Sequence, residues 1–465
     1  MEQNSKNQRI PLPGANVFWL NTTVGAMSSE DGSFKLPYDK TYKKLIISYI
    51  GFRTDTLLIE TPKSIFHVLR ASDDLGEVTI STRKKSTATS YLSSQNISTI
   101  SSAELLKAAC CNLSESFETN PSIDVNFTDA ISGTKQIKML GLTSPYILIT
   151  TENIPSIRGA SQAYGLSFIP GTWVESIQIT KGAGSVVNGF ESIAGQINAE
   201  LVKPTTDNRV FVNAYGSLNG RTELNTHFNK QISDKWSTGL YLHANNRSQK
   251  FDRNNDSFLD MPLTNQINIL NRWQYINLQK GIISFLNVRF LKDDKQSGQL
   301  SFDPKRDWLS NTVWGSEINT RRFEASGKFG YVNPDIPYQS LGLQIAYSDH
   351  EQASYFGLNE YDIHHKSMYS NLVYNSIIGD TRHKIKTGLN VTYDQYNELV
   401  NSDIYDRNER SVGGFFEYSF DNLDNVNLTA TPDDGSENKL DGQALLARAV
   451  QILSTPAGAI LLGEK

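Results

Sequence analysis

No stretch of the 465-residue chain reaches the roughly 18 uncharged apolar residues of a membrane-crossing helix, so a membrane location would have to be built from strands. Only 38% of the residues are hydrophobic. That excludes a helical membrane protein but not a barrel, in which every second residue faces lipid. Charge of one sign is also lacking. Lys and Arg number 44 against 49 Asp and Glu, and no basic cluster is longer than Arg83-Lys84-Lys85, so nucleic acid is excluded as a partner. Cysteine is confined to two neighbours, Cys110 and Cys111, which say nothing about compartment. They can form a strained vicinal disulfide, offer soft ligands to copper or zinc, or stay as two partly buried thiols. With five methionines, a copper receptor built on thioethers is not indicated. There is no Ser-His-Asp or Cys-His order, no phosphate-cradling glycine loop and no HExxH, so catalysis has no candidate residues and the chain is expected not to be an enzyme.

What is present is strand pattern. Residues 1–72 carry short β-branched and aromatic runs, Ala15 to Trp19 and Leu45 to Tyr49, parted by turns at Asp31-Gly32 and Gly51, and predict a small β-sandwich. Residues 73–98 are rich in Ser, Thr and charge and predict a linker around one β-branched run, Glu77-Val78-Thr79-Ile80-Ser81-Thr82. That run can add as a strand to a partner's sheet or form the last strand of the first domain. From 99 to 204 the pattern predicts an α+β domain. Helices are expected from a cap at Ser101 or Ser102 through Lys107 and over Leu113–Phe117, and strands over 136–140, 146–149 and 174–179. Glycine then becomes dense at Gly182, Gly184, Gly189 and Gly195, where backbones must turn or cross closely.

Two family resemblances follow. Pro13 to Val17, Gly25, Glu30 to Phe34 and Ile47 to Phe52 resemble the carboxypeptidase regulatory-like domain, of whose first strand little remains here. The stretch from Glu175 to Asn198, including Ile177, Lys181 and Ile197, is similar to the end of the plug domain of TonB-dependent outer-membrane receptors. Asn120 to Ile123, Leu140 to Leu142 and Glu152 to Pro155 fit the same plug in order. The resemblance implies that Glu77 to Thr82 is a TonB box, that TonB of an inner-membrane energy-transducing complex is the partner, and that a scarce nutrient is imported. The plug's close resembles siderophore, haem or vitamin receptors, so a ferric siderophore or another metal chelate is the expected ligand, and no cofactor is required. The rival classes are a secreted or surface β-sandwich adhesin that binds glycan, and a nonfunctional truncated receptor.

Residues 205–430 alternate with period 2, in runs such as Ile283 to Val288 and Gly342 to Tyr347, and predict a transmembrane β-barrel in contact with outer-membrane lipid. At roughly 10 residues per strand plus loops of similar length, about ten or eleven strands fit there, half of the 22 in a plugged transporter. The expected fold is therefore mainly β: sandwich, α+β plug and an incomplete antiparallel barrel. Residues 431–465 form an atypical tail, helical over 443–450, that reads as a frameshift or fusion. Met1 to Arg9 hold no apolar core of a secretory signal, so a leader missing from this chain is expected.

Two metal candidates remain. Asp252, Asn254, Asp256 and Asp260, with the Phe258 carbonyl, offer oxygens at alternate loop positions, as structural calcium needs. Ser257 and Leu263 stand where an EF-hand loop has glycine and glutamate, so an ordinary acidic surface loop is the alternative. His364 and His365 are adjacent on a barrel strand, and alternation sends them to opposite faces, which disfavours a paired site.

Overall fold

The computed structural model describes all residues except 1, 4–8, 13, 21, 23, 30, 50–53, 70–86, 91–96, 102–111, 118–122, 128–132, 183, 190, 422–425, 431–432, 440–441, 445–450 and 455–465. Beyond residue 420 only backbone is described. The chain divides into two units, 1–84 and 85–465.

In the first unit the strands Asn16–Trp19, Gly25–Met27, Lys44–Ser48 and Asp55–Leu58 form one antiparallel sheet, with Asn16–Trp19 and Lys44–Ser48 at its centre. Their alternation buries Val17, Trp19, Leu45 and Ile47 on one face, where the apolar side chains leave water together. Trp19 satisfies its indole by donating to the Pro37 carbonyl at 3.0 Å.

The second unit opens with a six-stranded sheet ordered Ile154–Ile157, Ile147–Thr151, Gly195–Leu201, Val174–Lys181, Ile97–Ser101, Thr87–Ser90. One part of the sequence reading is corrected by it: Thr87–Ser90, inside the predicted linker, is a sheet strand paired with Ile97–Ser101, and Ser101 ends that second strand. The α-helices expected of the plug are not found among the described residues. Leu113–Phe117 contains a 3-10 turn, Glu115–Phe117, and residues 103–107 lie outside the described part.

The wall follows as ten consecutive antiparallel strands, from Val210–Gly216 to Arg407–Asp421. Turns at one end are short (232–235, 278–281, 379), whereas the other end carries loops 248–262 and 299–314. Side chains alternate as a barrel requires. On Ile282–Gly298, Leu286, Val288 and Phe290 face out and stay exposed, whereas Leu291 and Asp293 face in and are buried. Trp236 and Trp273 meet edge-on near the short-turn end, with centroids 6.3 Å apart, as an aromatic girdle does. The barrel is incomplete: among the described residues Val210–Gly216 pairs only with Arg221–Gln231. In the tail, Asp433–Lys439, Gly442–Ala444 and Gln451–Ser454 are strands, so Gln443 and Ala444 are extended rather than helical, and 445–450 lie outside the described residues.

Candidate functional site at the plug–wall interface

The glycine-rich close of the plug builds its central strands. Ile177 and Ile197 are fully buried. A Cβ on Gly195 would sit 2.4 Å from the Met139 methyl and 2.8 Å from the Thr180 carbonyl, so only glycine lets these segments approach so closely. Gly182 and Gly189 hold left-handed conformations at φ +79° and +99°, and Gly184 packs against Ser192. Glu175 reaches Lys203 at 3.2 Å, and Lys181 ends its strand exposed. Asn198 is a buried hub. Its carbonyl oxygen accepts from the Thr150 hydroxyl (2.9 Å) and the Asn153 N–H (2.7 Å), and its amide donates to Glu200 at 2.8 Å. The predicted signature therefore positions the plug, and the residues that join plug to wall lie elsewhere.

Those joining residues are inward-facing polar side chains of the wall, and most of them seize plug carbonyls that the plug's own sheet leaves free. Arg289 and Asn268 both donate to the Phe168 carbonyl (2.5 and 2.6 Å), Gln266 to Ser167 (3.2 Å), Arg272 to Val202 (2.7 Å), Arg322 to Ser156 (3.1 Å) and Asn371 to Val187 (2.7 Å). Ion pairs add to this. Arg272 pairs with Glu152, both almost wholly buried, and Arg221 pairs with Glu115 at 2.7 Å. Glu152 and Asn153, at φ +53° and +61°, form the two-residue turn between Ile147–Thr151 and Ile154–Ile157, and that turn aims the Glu152 carboxylate at the wall.

A second junction centres on Arg158, which pairs with Glu191 of the plug at 2.9 Å and with Asp394 of the wall at 3.0 Å. His365 contacts the same Asp394 carboxylate at 3.0 Å and stacks on Tyr396, with centroids 4.2 Å apart and planes 2° from parallel. Gly159 slides over this stack at φ +56°. A Cβ there would lie 2.6 Å from His365 and from the Tyr396 hydroxyl. Between these junctions lies a cavity of about 90 Å³ lined by Glu152, Arg158, Arg289, Arg322, Glu324 and Tyr369. A more open cavity of about 240 Å³ adjoins Arg158, Gly159, Gln162, Glu191, Asp394 and Tyr396. Apolar side chains, among them Ile169, Trp173 and Leu270, share the lining of the smaller cavity, and Tyr241 and Leu270 of the wall join the apolar core of the plug, so the seam combines these polar contacts with apolar packing. Just before the first wall strand, burial pushes Asp207 up, but hydrogen bonds from His227 and Asn229 outweigh it and hold the carboxyl below its usual range.

The other sequence candidates divide. Glu77 to Thr82, Cys110 and Cys111 lie outside the described residues. In loop 252–260 the Asp252 carboxylate accepts from the Asp256 and Ser257 amides (3.1 and 3.0 Å), and Asp256 accepts from the Phe258 amide (2.8 Å). Asp260 accepts from the Arg253 amide at 3.0 Å and lines one cavity with Asn254, Asp256 and Phe258. Ser257, where an EF-hand has glycine, takes φ +70°. His364 and His365 do part to opposite faces: His365 is buried against the plug, and His364 lies on the outer face beside Asp349 at 2.7 Å.

A plug sheet inside a wall of antiparallel strands, joined to it by inward-facing arginines, defines the class of plugged outer-membrane barrel receptors. Residues 3–89 match the CarboxypepD_reg-like domain and residues 90–196 the TonB-dependent Receptor Plug Domain, so the chain carries these two domains in that order. Among curated proteins nothing matches. Solved structures with this fold include FpvA of Pseudomonas aeruginosa bound to a heterologous pyoverdine and iron. It is 13% identical with TM-score 0.62, and the match covers 79% of this chain and 55% of FpvA. The alcaligin outer-membrane receptor FauA of Bordetella pertussis is 12% identical with TM-score 0.58, covering 79% and 61%. The siderophore receptor PiuA of Acinetobacter baumannii is 10% identical with TM-score 0.56, covering 78% and 61%. The chain thus spans 55–61% of the length of these structures.

Proposed function

We propose that the chain serves in the outer membrane as the plug-bearing part of a TonB-dependent importer, and that its ligand is a ferric siderophore or another metal chelate. The observation that carries this reading is the seat of the plug. Wall arginines and amides hold it by its carbonyls through separate hydrogen bonds, which water can replace one by one as the plug moves. The three structures above are described as receptors for pyoverdine, alcaligin and a siderophore, which supports the ligand class. A glycan-binding adhesin would have no use for a plug.

In this mechanism the chelate binds on the long-loop side of plug and wall. The segment Glu77 to Thr82 becomes available, and TonB adds it as a strand and pulls. The regulatory-like domain lies on the periplasmic side. The segment falls within the first matched domain, just before the plug match begins at residue 90, so it can equally close that domain. Deleting residues 77–82 from the whole receptor separates the two roles. Uptake of radiolabelled ferric siderophore should be lost while binding to outer membranes is kept. Loss of binding as well would refute the box assignment, and normal uptake would refute TonB pairing at this segment.

A further inference from the structure

We propose that Asp349, Glu351 and His364 form a binding site for a divalent first-row transition ion, of which Zn²⁺ is the type, on the outer face of the wall. The three side chains belong to two neighbouring strands, Ser340–Phe356 and Asn359–Ile378. The register pairs Glu351 directly with His364, and Asp349 lies two residues along the same face. Among the described residues this is the one group whose ligand atoms converge, all within 4.8 Å of one another. The imidazole Nε2 lies 2.7 Å from an Asp349 oxygen and 3.8 Å from a Glu351 oxygen. Ligands at about 2.0–2.2 Å from a tetrahedral ion stand about 3.3–3.6 Å apart, so small rotamer adjustments would close the triangle.

Orientation adds a second argument. The register places Lys366 opposite Asp349 and Arg321 opposite Glu351, and both cations were the obvious partners for these carboxylates. Yet the ion pairs of both carboxylates within 4.0 Å are with His364. Two like charges turned towards a single imidazole make a ready cation seat. One nitrogen and two carboxylate oxygens suit Zn²⁺ or Mn²⁺. They do not suit Cu⁺, which prefers sulfur, or Ca²⁺, which prefers oxygen alone.

Place in the fold fits a structural role. Tyr347 and Met368 are the next outward residues towards the short-turn end, so the site stands just beyond the apolar band, on the side of the long loops. An ion there would staple the two strands while leaving coordination positions open to solvent or to a headgroup oxygen. The site is independent of the transport reading, since none of its residues faces the plug.

The test uses the full-length receptor purified from outer membranes in detergent and stripped with chelator. Titration calorimetry with Zn²⁺ should find one site that His364→Gln and Asp349→Asn each weaken by at least about tenfold. Mass spectrometry supplies a check that needs no variant: in the wild-type protein, Zn²⁺ should protect His364 from carbethoxylation. Equal Zn²⁺ affinity in wild type and variants, no binding to wild type, or no protection of His364 would each overturn the site.

Discussion

The ion pair between Glu152 and Arg272 is where the plug's hold on the wall can be measured. Both side chains are at most 5% exposed, and the two residues belong to different bodies, the plug turn and a wall strand. Glu152→Gln keeps the shape and removes the negative charge. Breaking a buried pair by deleting one partner costs about 3–5 kcal/mol, because the other charge stays buried and uncompensated. Arg272 would keep the Val202 carbonyl at 2.7 Å and the Asn287 side-chain oxygen at 3.1 Å, which puts the expected loss at the lower end, about 3 kcal/mol. At tenfold per 1.4 kcal/mol, that is about a 150-fold increase in the open population of the plug. Hydrogen–deuterium exchange of the receptor in lipid reads this directly. Amides of Ile147–Thr151 and Gly195–Leu201 should lose protection by about that factor, while amides of the wall strands keep theirs. Adding Arg272→Met should restore part of the protection, since the orphan charge then leaves with its partner. Protection within about twofold of wild type in Glu152→Gln would refute the claim that this pair anchors the plug.

Other consequences are simpler. Asn198→Ala leaves the Thr150 hydroxyl and the Asn153 N–H without their acceptor and should cost about 2–3 kcal/mol in chemical denaturation followed by plug-specific exchange. Gly195→Ala drives a methyl into Met139 and the Thr180 carbonyl, for an expected loss of about 1–3 kcal/mol in the same assay. Gly182→Ala meets open space and should cost about 1 kcal/mol through its φ of +79° alone. If loop 252–260 holds calcium, chelation will speed proteolysis next to Asp252 in the whole receptor. Unchanged cleavage would show that the amide bonds to Asp252 and Asp256 suffice to fix the loop.

Which parts of this molecule could be read from sequence follows from how far apart the interacting residues lie. The wall was legible because alternation is local. Leu286, Val288 and Phe290 announce an outward face without knowledge of any other strand. The plug's close was legible because its glycines are forced by crossings within some twenty residues, such as Gly195 against Thr180. Near Ser101 the sequence offered only a capping serine, a weak local signal: Ser101 itself pairs with Ser176 at the end of a sheet strand, and residues 103–107 lie outside the described part.

The plug–wall junctions were missed for a different reason. Arg158 meets Asp394 across 236 residues and Arg272 meets Glu152 across 120, and nothing local in either pair announces the other. One signal was available: an inward arginine flanked by apolar outward neighbours, as in Val288-Arg289-Phe290, has to find a partner inside the lumen. His364 shows the limit most sharply. Alternation alone separates it from His365 and so argues against a metal. The same alternation, combined with strand register, brings Asp349 and Glu351 to its side. Register is fixed by turns and by pairing over the whole sheet, so a site built across two strands exists only once the wall has folded.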